Sequence, residues 1–381
     1  MNLIDMGIDT IYYAVILIIG LYAFVFSLAN IIYLYKETGP ADRTSGALVS
    51  VLIPARNEEE NIGRCLRSLR TQTYENYEIL VLDDNSEDST WDIINSCCRK
   101  DPHIRPFKGK ELPSGWYGKN YALQQLIEHA QGEFLLFTDA DTIHTGQSIS
   151  FAVSNMEYHQ ADMISGYPKQ LFPSISTQAV VSAMCLPLLF FPPLRLLDRL
   201  KMPMFSLAVG QYICVRSRAI EAVEGFTHIP NSITDDIHLA RLFVSKGFKQ
   251  LFLDVSDIVS CRMYSSFLKS FGGITRSTMG YLGKNILIPL AAIPVLFAFL
   301  VLPLPLLVFQ VLTDSSISTG FMAGIVLMNA AWIQLTVFLR YPAKTFLLFF
   351  PTMSLILGVG IRGLYCEVTQ RGYRWKKRIV R

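Results

Sequence analysis

The chain lacks a disulfide framework. Its seven cysteines, Cys65, Cys97, Cys98, Cys185, Cys214, Cys261 and Cys366, are odd in number, and none forms a Cys-x-x-Cys pair. Most sit in apolar runs, as small core residues do. Neither a disulfide scaffold nor a zinc site is expected, and a reducing compartment fits. Charge is also scarce: the formal net value is +3. That is too little to draw a nucleic-acid partner. Internal repeats and low-complexity linkers are missing. No Lys or Arg precedes the first apolar run and no small-residue cleavage site marks it, so a secretory leader is not expected.

What the chain has in excess is apolar sequence. Hydrophobic residues make up 51% of it, concentrated towards the two ends. Tyr12 to Leu34 carries no charge and is long enough to cross a bilayer. Residues 1–40 therefore read as a transmembrane anchor. Asp5 and Asp9 precede the run, whereas Lys36 and Arg43 follow it. Excess basic charge on the second side puts that side in the cytoplasm. Three more apolar blocks follow near the other end: Ile286 to Leu312, Gly320 to Leu339 and Thr345 to Leu364. Together they make up membrane segments over residues 286–365, with an interfacial segment at 263–285 before them and a basic tail at 366–381 after them. Lys284 flanks the first block, Arg340 and Lys344 follow the second, and the tail holds Arg371, Arg374, Lys376, Lys377 and Arg378. Three full crossings would put that tail outside, against the charge rule. One block, proline-broken, is therefore expected to be re-entrant or half-inserted.

Between these ends, residues 48–262 alternate short apolar strands with helical stripes. Leu48 to Ile53, Ile79 to Leu82 and Phe134 to Phe137 read as strands. Ile62 to Leu69, Thr90 to Cys98 and Leu123 to Ala130 read as helices. Such alternation predicts an α/β domain, with a mostly parallel, Rossmann-like sheet covered on both faces. Ligands of such sheets bind outside the carboxyl ends of the strands. All three strands end there in polar residues: Pro54 to Glu58, Asp83-Asp84, and Asp139 with Asp141. Ala179 to Leu207 interrupts the alternation. Its Arg195, Asp198, Arg199 and Lys201 argue against a span, and it reads either as an interfacial amphipathic segment or as a layer buried over the sheet.

The strand ends carry the chemistry. Asp139 and Asp141 are hard oxygen ligands suited to Mg²⁺ or Mn²⁺, which in turn bind diphosphate oxygens; a turn with solvated carboxylates is the plainer reading. Asp84 can accept hydrogen bonds from a ribose or base edge, while Asn85 and Ser86 suit a turn or helix cap. Thr234-Asp235-Asp236 opens a helical run, so Thr234 or Asp235 could cap it, leaving a carboxylate free to act as a general base. Lys119 follows a glycine-rich turn and could offset phosphate charge.

Four segments carry a resemblance: Val51-Leu52-Ile53-Pro54-Ala55-Arg56-Asn57-Glu58-Glu59; Leu82-Asp83-Asp84-Asn85-Ser86; Thr138-Asp139-Ala140-Asp141; and Thr234-Asp235-Asp236. In this order they resemble the family 2 inverting glycosyltransferases with the GT-A fold. The resemblance implies that Pro54, Arg56, Glu58, Asp84 and Asp139 hold a nucleotide-sugar donor, UDP-linked by expectation. It also implies that Asp141, with Asp139, meets the metal and that Asp236 is the base. The family often has Glu-Asp where this chain has Asp235-Asp236. Gly115-Trp116-Tyr117-Gly118-Lys119, Cys261-Arg262-Met263-Tyr264 and Gly372-Tyr373-Arg374-Trp375-Lys376 look like bacterial enzymes that glycosylate carotenoid- or hopanoid-type lipids. The Gln-x-x-Arg-Trp motif of processive relatives does not follow Asp236. These features imply a multi-pass protein of the cell membrane, its catalytic domain cytoplasmic, that moves one sugar onto a membrane lipid. A short-chain polysaccharide synthase and a non-catalytic nucleotide-sugar-binding membrane protein are the alternatives.

Overall fold

A computed structural model of the protein describes residues 7–282, 285–313, 316–375 and 378–380. Asp5, Lys284, Lys376 and Lys377, used above to orient the chain, lie outside the described residues. The first element is the long apolar helix α1 (Ile8–Glu37), which covers and extends the expected anchor. The α/β domain then runs β1 (Val49–Ala55), α2 (Ile62–Leu69), β2 (Tyr77–Asp83), α3 (Thr90–Cys98), β3 (Ile104–Lys108), α4 (Gly118–His129), β4 (Phe134–Phe137), β5 (Thr142–His144), α5 (Ser148–Tyr158), β6 (Met163–Tyr167) and β7 (Lys169–Gln170). It continues through α6 (Ile175–Val181), α7 (Leu186–Phe190), α8 (Leu194–Leu200), β8 (Ile213–Arg216), α9 (Ser217–Ala222), α10 (Asp235–Ser245), β9 (Gln250–Asp254) and β10 (Val259–Cys261). After it come α11 (Phe267–Tyr281), α12 (Leu287–Leu296), α13 (Pro303–Leu312), α14 (Thr319–Phe338) and α15 (Phe349–Val368).

Seven strands form one sheet in the order β3-β2-β1-β4-β8-β6-β9. β1 pairs in parallel with β2 and β4, β2 with β3, and β6 with β9; β8 alone runs against its neighbours. The fold is the mostly parallel α/β sheet that the alternation implied, of the GT-A type that the resemblance implied. β1 and β2 are buried nearly throughout because helices cover both faces. Val51, Ile53, Ile79, Val81 and Leu136 turn to one face; Leu52, Leu80, Leu82, Leu135 and Phe137 turn to the other. This period-2 division places the parallel carboxyl ends of β1, β2 and β4 on one edge.

Among the described residues, four helical stretches are long and apolar enough to cross a membrane: Ile8–Glu37, Leu287–Leu312, Thr319–Phe338 and Ala343–Val368. α1 packs along α14 through small residues. A Cβ on Gly324 would fall 2.6 Å from the Ile16 carbonyl oxygen, and one on Gly20 would fall 2.4 Å from the Gly324 carbonyl oxygen. Apolar helices that gain nothing from leaving lipid are held by such close backbone approach. Gly324→Leu is expected to lower stability by at least ~1–3 kcal/mol, the usual cost of overpacking. An earlier thermal transition in detergent is the readout, and an unchanged one would contradict the contact.

The Ala179–Leu207 segment is a packed layer, with no continuous interfacial helix. α6 and α7 run into α8 with a bend of 62°. α7 lies against α1 and α14, and α6 against α11 and α15. Asn30 of α1 clamps the bend: its Nδ2 donates to the Leu188 carbonyl at 2.9 Å, and its Oδ1 accepts from Leu194 N at 2.8 Å. Asp198 receives a hydrogen bond from Tyr33 of α1. The charge that argued against burial is thus partnered, while Arg195, Arg199 and Lys201 stay exposed.

The last apolar block doubles back. At the end of α14, Arg340 lies 3.5 Å from the Asp254 carboxylate and also pairs with Asp257, both in the catalytic domain. The chain then retraces α14, so that Trp332 Nε1 donates to the Thr345 carbonyl at 2.7 Å. α15 next packs against α6 and α11. Thr352 donates to the Ala179 carbonyl at 2.8 Å, and Gly358 and Gly363 face Phe271 and Met279 of α11.

Candidate active site

β1 and β2 end in matched left-handed turns. Asn57 has φ 50° and Asn85 φ 54°, a conformation asparagine tolerates better than most residues. The two turns are tied together: Asn57 N donates to Ser86 Oγ at 2.9 Å, and Glu87 N donates to Asn57 Oδ1 at 2.8 Å. Ser86 therefore holds the neighbouring turn, and α3 begins later, after Ser89. Asp83 and Asp84 separate in role. Asp83 is fully buried and receives Lys108 Nζ at 2.7 Å. Asp84 faces the cleft, its N–H bonded to the Ala55 carbonyl at 2.8 Å. The Arg56 guanidinium donates to the Asp84 carbonyl and lies 3.7 Å from its carboxylate. Arg56 Nε is buried without a hydrogen-bond partner among the described residues. Glu58 N donates to Thr90 Oγ1 at 2.7 Å, which aims its side chain over the same edge.

β4 ends at Phe137, and Asp139 and Asp141 follow on the turn into β5. A buried network supports that turn. Thr138 Oγ1 lies 3.0 Å from both Thr142 Oγ1 and His144 Nε2, and donates to the Gln211 carbonyl at 2.9 Å. Burial pushes His144 down to about 3, so the ring is neutral. Asp139 and Asp141 differ in their partners. Lys119 Nζ is 2.9 Å from Asp139 Oδ1 and 3.4 Å from Asp235 Oδ2. Burial disfavours that ammonium, but Asp139, Asp235 and Asp236 outweigh it and hold its pKa above the ordinary value. Lys119 is thus an ion-pair bridge between the end of β4 and the start of α10, beyond the surface or phosphate-facing position the sequence suggested. Among the described residues, the Asp141 side chain receives only the weak Cys261 Sγ donor, at 3.4 Å. Burial, with Asp139 and Glu58 close by, pushes Asp141 up to about 7.

Thr234 is the N-cap of α10, but among the described residues its side chain makes no capping bond. Thr234 Oγ1 turns to His238 Nδ1 at 3.1 Å instead. Asp236 is held by backbone: Gly210 N donates to Oδ2 at 2.9 Å and Ile237 N to Oδ1 at 2.8 Å. Burial, then the adjacent Asp235, raise it to about 6, against the opposing pull of Lys119 and of these N–H groups. Pro54, Arg56, Glu58, Asp84, Lys119, Asp139, Asp141, Asp235 and Asp236 all line one cleft of about 1280 Å³. The sheet edge and the starts of α4 and α10 bring these nine residues to one cleft, whereas Asp83 stays buried.

Residues 50–219 match the family described as Glycosyl transferase family 2. Residues 50–219 are a family 2 glycosyltransferase domain. The chain is similar to glycosyltransferase AglE of Haloferax volcanii, 26% identical over 228 residues that cover 58% of this chain and 69% of that one. It is also similar to the UDP-Glc:alpha-D-GlcNAc-diphosphoundecaprenol beta-1,3-glucosyltransferase WfaP of Escherichia coli, 36% identical over 110 residues. There it covers 29% of this chain and 41% of the relative, less than half of that protein's length. Among solved structures, mannosyltransferase PcManGT from Pyrobaculum calidifontis, in complex with GDP-Man and Mn²⁺, shares the fold. The TM-score is 0.55 at 15% identity, over 93% of this chain and 99% of that one. The enzyme therefore transfers a glycosyl group from a nucleotide sugar.

Most of the other walls of the cleft were not legible in the sequence, although Tyr264 and Tyr373 fall in segments that carried the resemblance to lipid-glycosylating enzymes. Tyr264, Lys269 and Arg276 line it from α11 and the segment before it, Arg362 and Cys366 from α15, and Tyr373 from beyond it. From sequence, α11 reads as an interfacial segment and α15 as a membrane one. Only packing between distant segments brings them to the site. Gly210 was also missed, since one backbone N–H leaves no signature in a sequence.

Proposed function

We propose that the enzyme transfers a single sugar, with inversion, from a UDP-sugar to a hydroxyl or carboxyl group of a membrane lipid. One observation carries this reading: a single cleft joins the carboxylates of the strand ends to apolar walls built from Phe190, Phe191, Leu207 and Ile356. A polar donor and an apolar acceptor can meet there. In this reading Arg56, Glu58 and Asp84 hold the nucleoside. The orphaned Arg56 Nε is one donor the ligand would satisfy. Asp141 fits a divalent cation, Mg²⁺ or Mn²⁺: it is a buried oxygen donor beside other carboxylates, which raise its proton affinity. Among the described residues, no three His, Cys, Asp or Glu side chains form a cage. That suits a cation held by one or two carboxylates plus substrate oxygens. Such a cation neutralises the donor's diphosphate. Burial raises the Asp139 carboxyl, and Lys119 opposes that rise and holds the side chain in place. Asp236, fixed by two N–H groups, accepts the proton of the attacking acceptor.

Processive polymerisation finds no support in the membrane part. A polymer path needs polar groups facing water, whereas Gln334, Asn329 and Thr336 of α14 bond to helix backbone. Gln334 donates to the Phe24 carbonyl at 3.0 Å, Asn329 to Ile325 at 2.9 Å and Thr336 to Trp332 at 2.8 Å. Among the relatives, WfaP by its description glycosylates a lipid-linked acceptor. If purified enzyme is given labelled UDP-sugars and a total lipid extract, label is expected in the organic phase. Label confined to the aqueous phase would overturn the lipid acceptor.

In this reading the catalytic domain and the C-terminal tail share the cytoplasmic side. α1, α12 with α13, and α14 cross, while α15 re-enters. Support comes from the two ends of the last block: Arg340 meets Asp254 and Asp257, and Cys366 lines the catalytic cleft. The arrangement removes the conflict between three crossings and a basic tail. The partly exposed Cys98 and a C-terminal tag should both resist membrane-impermeant reagents in intact cells and react in inverted vesicles. Labelling of the tag alone from outside would restore the full third crossing.

A further inference from the structure

Charge is segregated across the cleft. The lining carboxylates, Glu58 to Glu60, Asp84, Asp88, Asp139, Asp141, Asp235 and Asp236, belong to the sheet edge and the start of α10. From Arg262 onward the lining residues include Arg262, Lys269, Arg276 and Arg362 and no carboxylate. The basic side is also the apolar side, with Ile274, Tyr281 and Ile356 among these cations.

α11 presents Lys269, Gly272, Gly273 and Arg276 to the cleft, at the spacing of one helix face. Two glycines inside a helix weaken it against alanine, because glycine loses more backbone freedom on folding. Gly273 has a packing reason, since a Cβ there would fall 2.2 Å from the Tyr264 hydroxyl oxygen. Gly272 does not. A Cβ there would meet only Arg362 Nη2, at 3.9 Å. Gly272 therefore leaves a bare notch of helix backbone, with the Arg362 guanidinium beside it and Arg276 one turn further on. Arg362 rises from α15 and lies 5.7 Å from the Phe271 ring centroid, a placement that steadies its plane. A planar guanidinium on an apolar helix, aimed into an apolar cleft, suits bidentate binding of a phosphate or carboxylate.

We propose that Arg276 and Arg362, flanking the Gly272 notch, bind an anionic group, phosphate or carboxylate, carried by the acceptor lipid. The site rests on the lipid-acceptor reading above and adds that the enzyme selects anionic over neutral lipids. Arg276 and Arg362 are specificity residues on the acceptor side, separate from the strand-end groups that hold the donor.

The test uses full-length enzyme in phosphatidylcholine nanodiscs and three probes with the same tail: farnesyl phosphate, farnesoic acid and farnesol. At least one anionic probe is expected to bind about tenfold or more tighter than farnesol, the effect of one charge-assisted hydrogen bond. The stronger anion identifies which group the site takes. Arg276→Gln and Arg362→Gln should each erase that preference, and Arg362→Lys should keep part of it. UDP affinity in the presence of Mn²⁺ should stay at wild type in all three variants, which also controls for folding. Equal binding of the three probes would sink the anion site and leave the lipid acceptor standing. Binding of none would sink both. An anion preference that survives both glutamine variants would mean that Arg362 serves only bilayer headgroups. A loss of UDP affinity with the preference intact would assign the arginines to the donor diphosphate. Either result overturns the proposal.

Discussion

Asp236→Asn is expected to abolish transfer while the affinity for nucleotide stays near wild type. A positioned general base contributes typically about 10²–10⁴ in rate. The amide keeps the shape, and its oxygen can still accept from Gly210 or Ile237, but it cannot take a proton. The carboxylate is raised to about 6 by burial and by Asp235. Only the ionised form is a base, so activity should be full above that pH and fall as pH drops through about 6. Rate measurements from pH 5 to 8 at saturating donor check the sign. A profile flat to pH 5 would contradict the assignment. Asp235→Asn is the companion variant. Asp235 faces Lys119 at 3.4 Å, so its loss should disturb the bridge to Asp139 more than the proton transfer. If Asp235→Asn gave the pure rate defect and Asp236→Asn did not, the base would be one residue away.

Asp141→Asn is expected to lose both turnover and the metal dependence of nucleotide binding. Asp139 is engaged by Lys119 at 2.9 Å, whereas Asp141 meets only a thiol donor among the described residues. A cation binding here displaces whatever proton Asp141 holds. The pKa of about 7 measures how unwelcome the bare negative charge is in that setting. The asparagine keeps one oxygen but removes the charge that a divalent ion needs. Calorimetry with UDP, with and without Mn²⁺, should give two equal affinities for the variant and different ones for the wild type. Metal dependence that survives the change would move the cation elsewhere. Asp139→Asn should instead weaken the Lys119 contact and leave part of the metal effect.

The catalytic edge was readable because three parallel strands share one register. Once Val51 to Ile53, Ile79 to Leu82 and Phe134 to Phe137 are strands, their carboxyl ends must meet, and so must Arg56, Asp84 and Asp139. The start of α10 was readable for its acids but not for its cap, since Thr234 spends its hydroxyl on His238. The Ala179–Leu207 layer was ambiguous because the partner that makes Asp198 tolerable is Tyr33, far earlier in the chain. The course of α15 followed from charge only as a contradiction: three crossings left a basic tail on the wrong side. Where α15 packs depends on contacts such as Thr352 with Ala179 and Gly363 with Met279, which no periodicity announces. The same packing brings Arg362 to the cleft, so the acceptor side was the least legible part of the site.

The reading as a whole stands on one sugar being placed on one lipid. Mass spectrometry of the organic-phase product, from purified enzyme with a UDP-sugar and total lipid extract, tests this most directly. The expected result is a single new species, heavier than its acceptor by one glycosyl unit, that is absent with Asp236→Asn. A ladder of masses spaced by the same unit would contradict it and make the enzyme a short-chain synthase.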